Sequence, residues 1–131
     1  MPAVNIPAAA AKILIVDDEP NIVIALEFLL LREGHRIEKA FNGLQALEIA
    51  AEFLPDLVVL DVMMPGIDGF EVANKMRQSP DLENTKIVFL TAKGTQRDKA
   101  TGYASGAEYY LVKPFDNEEF VQTITEIITY G

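Results

Sequence analysis

Leu57-Val58-Val59-Leu60 runs without a polar break into Asp61, and Pro65-Gly66 stops the run soon after. A short uninterrupted apolar run suits a strand covered on both faces. Pro65-Gly66 and Asp68-Gly69 mark the loop that follows. The stretch therefore favours folds with buried parallel strands. It puts Asp61 at the carboxyl end of one, where open α/β sheets bind ligands. A carboxylate there is costly to desolvate unless a cation offsets it.

Four further stretches read as strands. They are 12–16, leading into Asp17-Asp18; 36–40; 86–90, leading into Thr91-Ala92; and 108–112, leading into Lys113-Pro114. Helical spacing fills the gaps. The first helix starts at Pro20, with Asp18 or Glu19 as its cap, and stops at Gly34. Its core stripe is Ile22, Ala25, Leu26, Leu29 and Leu30. Ile24, Phe28 and Leu31 form a second apolar stripe opposite, read either as a partner-docking surface or as scattered exposed residues. Asn42-Gly43 opens a short helix carrying Leu44, Leu47, Ile49 and Ala50, and Phe70, Val72, Ala73 and Met76 mark the next. A fourth helix, over 95–105, is weakly apolar and carries Gly102 in its interior, at a cost of about 1 kcal/mol relative to Ala. It is expected to be among the least stable elements. Asp116 with Glu119 reads as a capping box for the last helix, which buries Phe120, Ile124 and Ile127 with Val121 and Ile128.

Strands alternating with helices imply a parallel sheet covered on both faces. The expected fold is α/β, a doubly wound five-stranded sheet of flavodoxin-like type with five helices. Right-handed crossovers favour the strand order 2-1-3-4-5. The 131 residues fit one domain, over 12–130, after an Ala/Pro-rich flexible tail over 1–11 that lacks the basic start of a signal peptide. Cysteine is absent, which removes disulfides and thiolate metal sites and fits a reducing compartment. The net charge of −9, with no basic patch, argues against direct nucleic-acid binding. No run is long enough to span a membrane, so a cytoplasmic location is expected. His35, the only histidine, has no second His or Cys nearby and is not read as a metal or catalytic residue.

The strand ends carry the chemistry. Asp17, Asp18, Asp61, Thr91 and Lys113 all fall on one edge of a doubly wound sheet, and the switch point joins strands one and three there. Three converging carboxylates repel one another, which raises a pKa or recruits a cation. An all-oxygen donor set points to Mg²⁺ or Mn²⁺. Thr91 adds a hydroxyl and Lys113 an ammonium, the groups that surround a phosphoryl dianion. An aspartate can itself be the nucleophile.

These residues resemble the receiver domain of bacterial two-component response regulators, close to the chemotaxis regulators. The match rests on Asp17-Asp18-Glu19-Pro20, on the stretch from Asp61 through Gly69, and on Thr91-Ala92, Gly106-Ala107 and Lys113-Pro114-Phe115. It covers 12–129. The resemblance implies that Asp61 is the phospho-acceptor, taking a phosphoryl group from a sensor histidine kinase or phosphotransfer protein. It implies Mg²⁺ held by Asp18, Asp61 and the Met63 carbonyl, with Asp17 acting through water. Lys113 would pair with the phosphoryl oxygens, through a cis Lys113–Pro114 bond. Thr91 and Tyr110 would be the switch pair, acting on the face of helix four, strand five and helix five. Met63 and Lys93 occupy the positions that tune acyl-phosphate lifetime, Met63 as a shield against water and Lys93 as positive charge at the rim. The expected protein is a switch rather than a turnover enzyme.

Three other classes fit less well. An FMN module needs a phosphate loop where Asp17-Asp18 stands. A haloacid-dehalogenase-like phosphatase needs an acid at the position of Met63. An inactive interaction module would lack Asp61, Thr91 or Lys113, and all three are present. The output stays open: a partner protein or a fused output domain, and a monomer or a phosphorylation-dependent dimer.

Overall fold

The computed structural model describes residues 10–130, in which five strands alternate with five helices. In chain order these are β1 (Lys12–Val16), α1 (Pro20–Arg32), β2 (Arg36–Ala40), α2 (Gly43–Phe53), β3 (Leu57–Leu60), α3 (Gly69–Arg77), β4 (Lys86–Thr91), α4 (Gln96–Ala104), β5 (Tyr109–Val112) and α5 (Asn117–Tyr130). All neighbouring strands pair in parallel, in the order β2-β1-β3-β4-β5. This is the expected doubly wound sheet.

Side chains alternate across the strands and build two cores. Leu14, Val16, Val58, Leu60, Ile87 and Phe89 pack with α2 and α3 on one face. Ile13, Ile15, Leu57, Val59, Val88 and Leu90 pack with α1 and α5 on the other. Each fully buried Leu, Ile or Phe contributes about 1.5–3 kcal/mol. The central strands β1, β3 and β4 therefore form the rigid platform of the site.

Several local expectations change. In α1 the buried residues are Val23, Leu26 and Leu30, whereas Ala25 is exposed and Ile22 and Leu29 are half-buried. The helix is apolar all round, so spacing alone did not fix which stripe faces the sheet. Its cap, Glu19, makes no side-chain hydrogen bond; the Glu19 amide instead donates to Asp17 Oδ1 at 3.0 Å. In α2, Ala46 and Ala50 are buried and Leu44 is exposed. At α5, the Asp116 carboxylate accepts from the Glu118 amide at 3.1 Å. The capping box lies at α4 instead, between Thr95 and Asp98.

Residues 1–9 of the expected tail lie outside the described residues. Ala11, placed in that tail by the sequence, is buried and belongs to the sheet region. Its amide donates to His35 Nδ1 at 3.1 Å, and its carbonyl accepts from the Arg36 amide at 2.9 Å. His35 is thus a buried structural histidine, and burial holds it below its ordinary pKa, partly offset by Glu33. Among the described residues no helix is long and apolar enough to cross a membrane.

Candidate functional site

Strand register assembles the site. Val16 pairs with Leu60, so Asp17 and Asp61 leave β1 and β3 side by side, and the Asp61 amide donates to the Val16 carbonyl at 3.0 Å. Thr91 pairs with Val112, and the Lys113 amide donates to the Thr91 carbonyl at 2.9 Å. Lys113 therefore enters the same edge from β5. Its ammonium lies 3.0 Å from Asp17 Oδ2 and 3.8 Å from Asp61 Oδ2. The Lys113–Pro114 bond is cis.

Oxygens of Asp17, Asp18 and Asp61 lie within 4.8 Å of one another, the only such group among the described residues. Asp17 and Asp61 are buried and Asp18 is exposed. Asp17 is already committed, one oxygen to Lys113 and the other to the Glu19 amide. Asp61 Oδ1 accepts from the Met63 amide at 3.2 Å. Burial raises the Asp61 carboxyl above its ordinary value, and the Asp17 charge adds to this. The Lys113 ammonium, the Thr91 hydroxyl and the Met63 amide oppose the rise. Net carboxylate excess in an oxygen-only cluster, with one face open at Asp18, fits a hard divalent cation.

Glycine fixes the loop after Asp61. A Cβ on Gly69 would collide with the Asp61 carbonyl oxygen, so only glycine lets the start of α3 come this close to the strand end. Met63 projects from that loop, 57% exposed. Met63, Met64, Pro65, Asp68 and Lys93 line a cavity against this loop.

Thr91 is fully buried at the end of β4, and its Oγ1 accepts from the Lys93 amide at 3.3 Å. The Tyr110 ring is buried, and its hydroxyl donates to the Lys93 carbonyl at 2.6 Å. Burial, with the charges of Asp98 and Asp61, pushes the Tyr110 phenol up to about 12. Thr91 and Tyr110 are therefore joined through one residue, Lys93. The Lys93 ammonium pairs with Asp98 of α4 at 3.8 Å.

Ile24, Phe28 and Leu31 are 60%, 60% and 52% exposed. The guanidinium of Arg32 lies 5.6 Å from the Phe28 ring centre. Sequence reasoning missed Asp98 and the packing role of Gly102. The Thr95-x-x-Asp98 spacing was a legible capping signature. The contact of Gly102 with Tyr110 is non-local, and no sequence signal announces it.

A response regulator receiver domain model matches residues 13–125. PilH of Pseudomonas aeruginosa is 35% identical over 118 residues, covering 90% of this chain and 98% of its own length. The transcriptional regulatory protein AfsQ1 of Streptomyces coelicolor is 40% identical over 120 residues, covering 92% of this chain and 52% of its own. The chain spans about half the length of the transcriptional regulators it matches. The chemotaxis protein CheY4 of Vibrio cholerae superposes with a TM-score of 0.86 at 34% identity, over 91% of this chain and 99% of its own. With its sheet order, its carboxylate cluster and these matches together, the chain belongs to the response regulator receiver domains, the phosphorylation-activated switches of two-component signalling.

Proposed function

We propose that Asp61 is the phospho-acceptor of this receiver. The observation that carries the reading is the convergence of Asp17, Asp18, Asp61 and Lys113 at one sheet edge. In the transfer, an Asp61 carboxylate oxygen bonds to the phosphorus of a phosphohistidine on a sensor kinase or phosphotransfer protein. The nitrogen–phosphorus bond breaks, and the imidazole keeps the electron pair and takes a proton. Hydrolysis later returns the carboxylate and releases phosphate. The chain assists its own phosphorylation and dephosphorylation but turns over no separate substrate.

Asp18, Asp61 and the Met63 carbonyl would hold Mg²⁺, with Mn²⁺ as a substitute. Asp17 stands behind them because Lys113 and the Glu19 amide already occupy its oxygens. When bound, the ion neutralises charge on the phosphoryl oxygens. Lys113 binds and orients those oxygens. Thr91 moves onto them, and Tyr110 carries that movement to the α4, β5 and α5 face, which controls a partner or a fused output domain in the cytoplasm. The exposed Met63 side chain shields the acyl phosphate from water, so Met63→Asn is expected to shorten its lifetime.

The stripe Ile24, Phe28 and Leu31 receives the phosphodonor. Its support is position: α1 starts directly after Asp17-Asp18, so a partner lying along it is beside the site.

Exposure to acetyl phosphate with Mg²⁺, read by intact mass, tests the acceptor. A single phosphoryl adduct is expected on the wild type and none on Asp61→Asn. No wild-type adduct refutes the assignment.

A further inference from the structure

Lys93 and Asp98 form an ion pair across the turn between β4 and α4. Both partners are fixed by other bonds. Asp98 stands in the first turn of α4, where its Oδ2 accepts from the Thr95 amide at 3.3 Å. Its own amide donates to Thr95 Oγ1 at 3.0 Å. The Thr95 hydroxyl, with help from Lys93 and Arg97, holds the Asp98 carboxyl below its ordinary value, so it stays charged. The main chain of Lys93 is pinned between Thr91 and Tyr110. Only its side chain is free to choose a partner, and it is partly exposed.

That choice has two ends. One is Asp98 on α4. The other is the cavity against the loop that follows Asp61, which Lys93 lines together with Met63 and Asp68. Asp61 and Asp98 also act from a distance on the same phenol, Tyr110. Lys93 therefore borders both the loop that follows Asp61 and the first turn of α4.

We infer that Asp98 is a positioning residue that withholds the Lys93 ammonium from the phosphoryl group on Asp61, so that the phosphoryl group and α4 compete for one cation. The inference rests on Asp61 as phospho-acceptor. A phosphoryl group brings roughly two negative charges at neutral pH, against one on Asp98. The stronger field draws Lys93 off Asp98 and leaves the first turn of α4 without its cation. Lys93 then covers the phosphoryl oxygens and hinders the water that must reach phosphorus. In that hydrolysis the water oxygen bonds to phosphorus and the Asp61 oxygen–phosphorus bond breaks. Its electron pair returns to the carboxylate, while the protons of the water stay with phosphate and solvent.

The test is a cycle of variants loaded from acetyl phosphate with Mg²⁺, freed of donor and followed by intact mass. Asp98→Asn is expected to slow loss of the adduct about threefold, the scale of one exposed ion pair. In a Lys93→Met background the same substitution is expected to change nothing. Thr95→Ala weakens the cap but keeps the Asp98 charge, and its decay is expected to match wild type. Equal slowing with and without Lys93, no slowing at all, or slowing by Thr95→Ala overturns the role of Asp98. An unlabelled wild type overturns the acceptor assignment and this inference with it, whereas a labelled wild type with an additive cycle overturns only the inference.

Discussion

At the scale of single residues, environment rather than identity decides what each ionisable group does. Asp17 and Asp61 are both buried strand-end aspartates, yet Lys113 lies 3.0 Å from Asp17 and 3.8 Å from Asp61, whose carboxyl is raised above its ordinary value by burial and the Asp17 charge. Their convergence was legible because each ends an apolar run. The division of labour was not, since it depends on which oxygen the Lys113 ammonium reaches. The burial of His35 was not legible in the sequence, because it follows from Ala11 lying alongside it. In the fold its Nδ1 accepts a hydrogen bond, so the proton sits on Nε2 and the ring is neutral. A histidine held below its ordinary value of about 6.5 contributes stability that is complete above that pH. The contribution is lost as pH falls toward the folded value, at no more than about 1.4 kcal/mol per pH unit. Unfolding free energies from pH 7.5 to 5 are expected to show this loss in the wild type and not in His35→Phe. Equal slopes would contradict it.

At the scale of elements, α1 and α4 depart furthest from the amphipathic pattern. Helix α1 carries more apolar surface than one sheet contact can cover, which is why Val23 and Ala25 exchanged places relative to expectation. Its outer stripe is the docking surface proposed for the phosphodonor. Phe28→Asp is expected to slow phosphotransfer from a cognate kinase at least about tenfold, the cost of losing an interface anchor. Labelling by acetyl phosphate should not change. Slowing of both reactions would mean that the site, not docking, was damaged. Helix α4 looked weak because of Gly102, but packing explains the glycine. A Cβ at 102 would lie 2.5 Å and 2.8 Å from the Tyr110 ring and 3.2 Å from Phe89. Gly102→Ala gains about 1 kcal/mol of helix propensity, and overpacking costs about 1–3 kcal/mol. We expect a net loss of stability, with the Tyr110 phenol titrating closer to its ordinary value. A stabilised variant with unaltered tyrosine titration would contradict this packing account.

At the scale of the molecule, β1, β3, β4 and β5 hold the proposed reacting groups at one sheet edge, while the Thr91–Lys93–Tyr110 link leads outward to α4. The strand order and the edge carrying the site were legible, because four apolar runs ended in Asp17-Asp18, Asp61, Thr91 and Lys113. The route from site to surface was not, because it consists of tertiary contacts such as Tyr110 to Lys93. Burial and Asp17 raise Asp61, so Mg²⁺ affinity is expected to begin falling at a higher pH than an ordinary carboxylate would give. Mg²⁺ at a hundredfold excess over Kd should stabilise the fold by about 2.7 kcal/mol. Thermal unfolding with Mg²⁺ and with EDTA measures this, and Asp18→Asn should lose most of the difference. The central claim, that this receiver is switched by phosphorylation of one aspartate, is tested most directly by locating the modification. The acyl phosphate formed from acetyl phosphate and Mg²⁺ is reduced with borohydride and mapped by peptide mass spectrometry. The account predicts a single reduced residue at Asp61; modification at Asp17 or Asp18, with Asp61 intact, would contradict it.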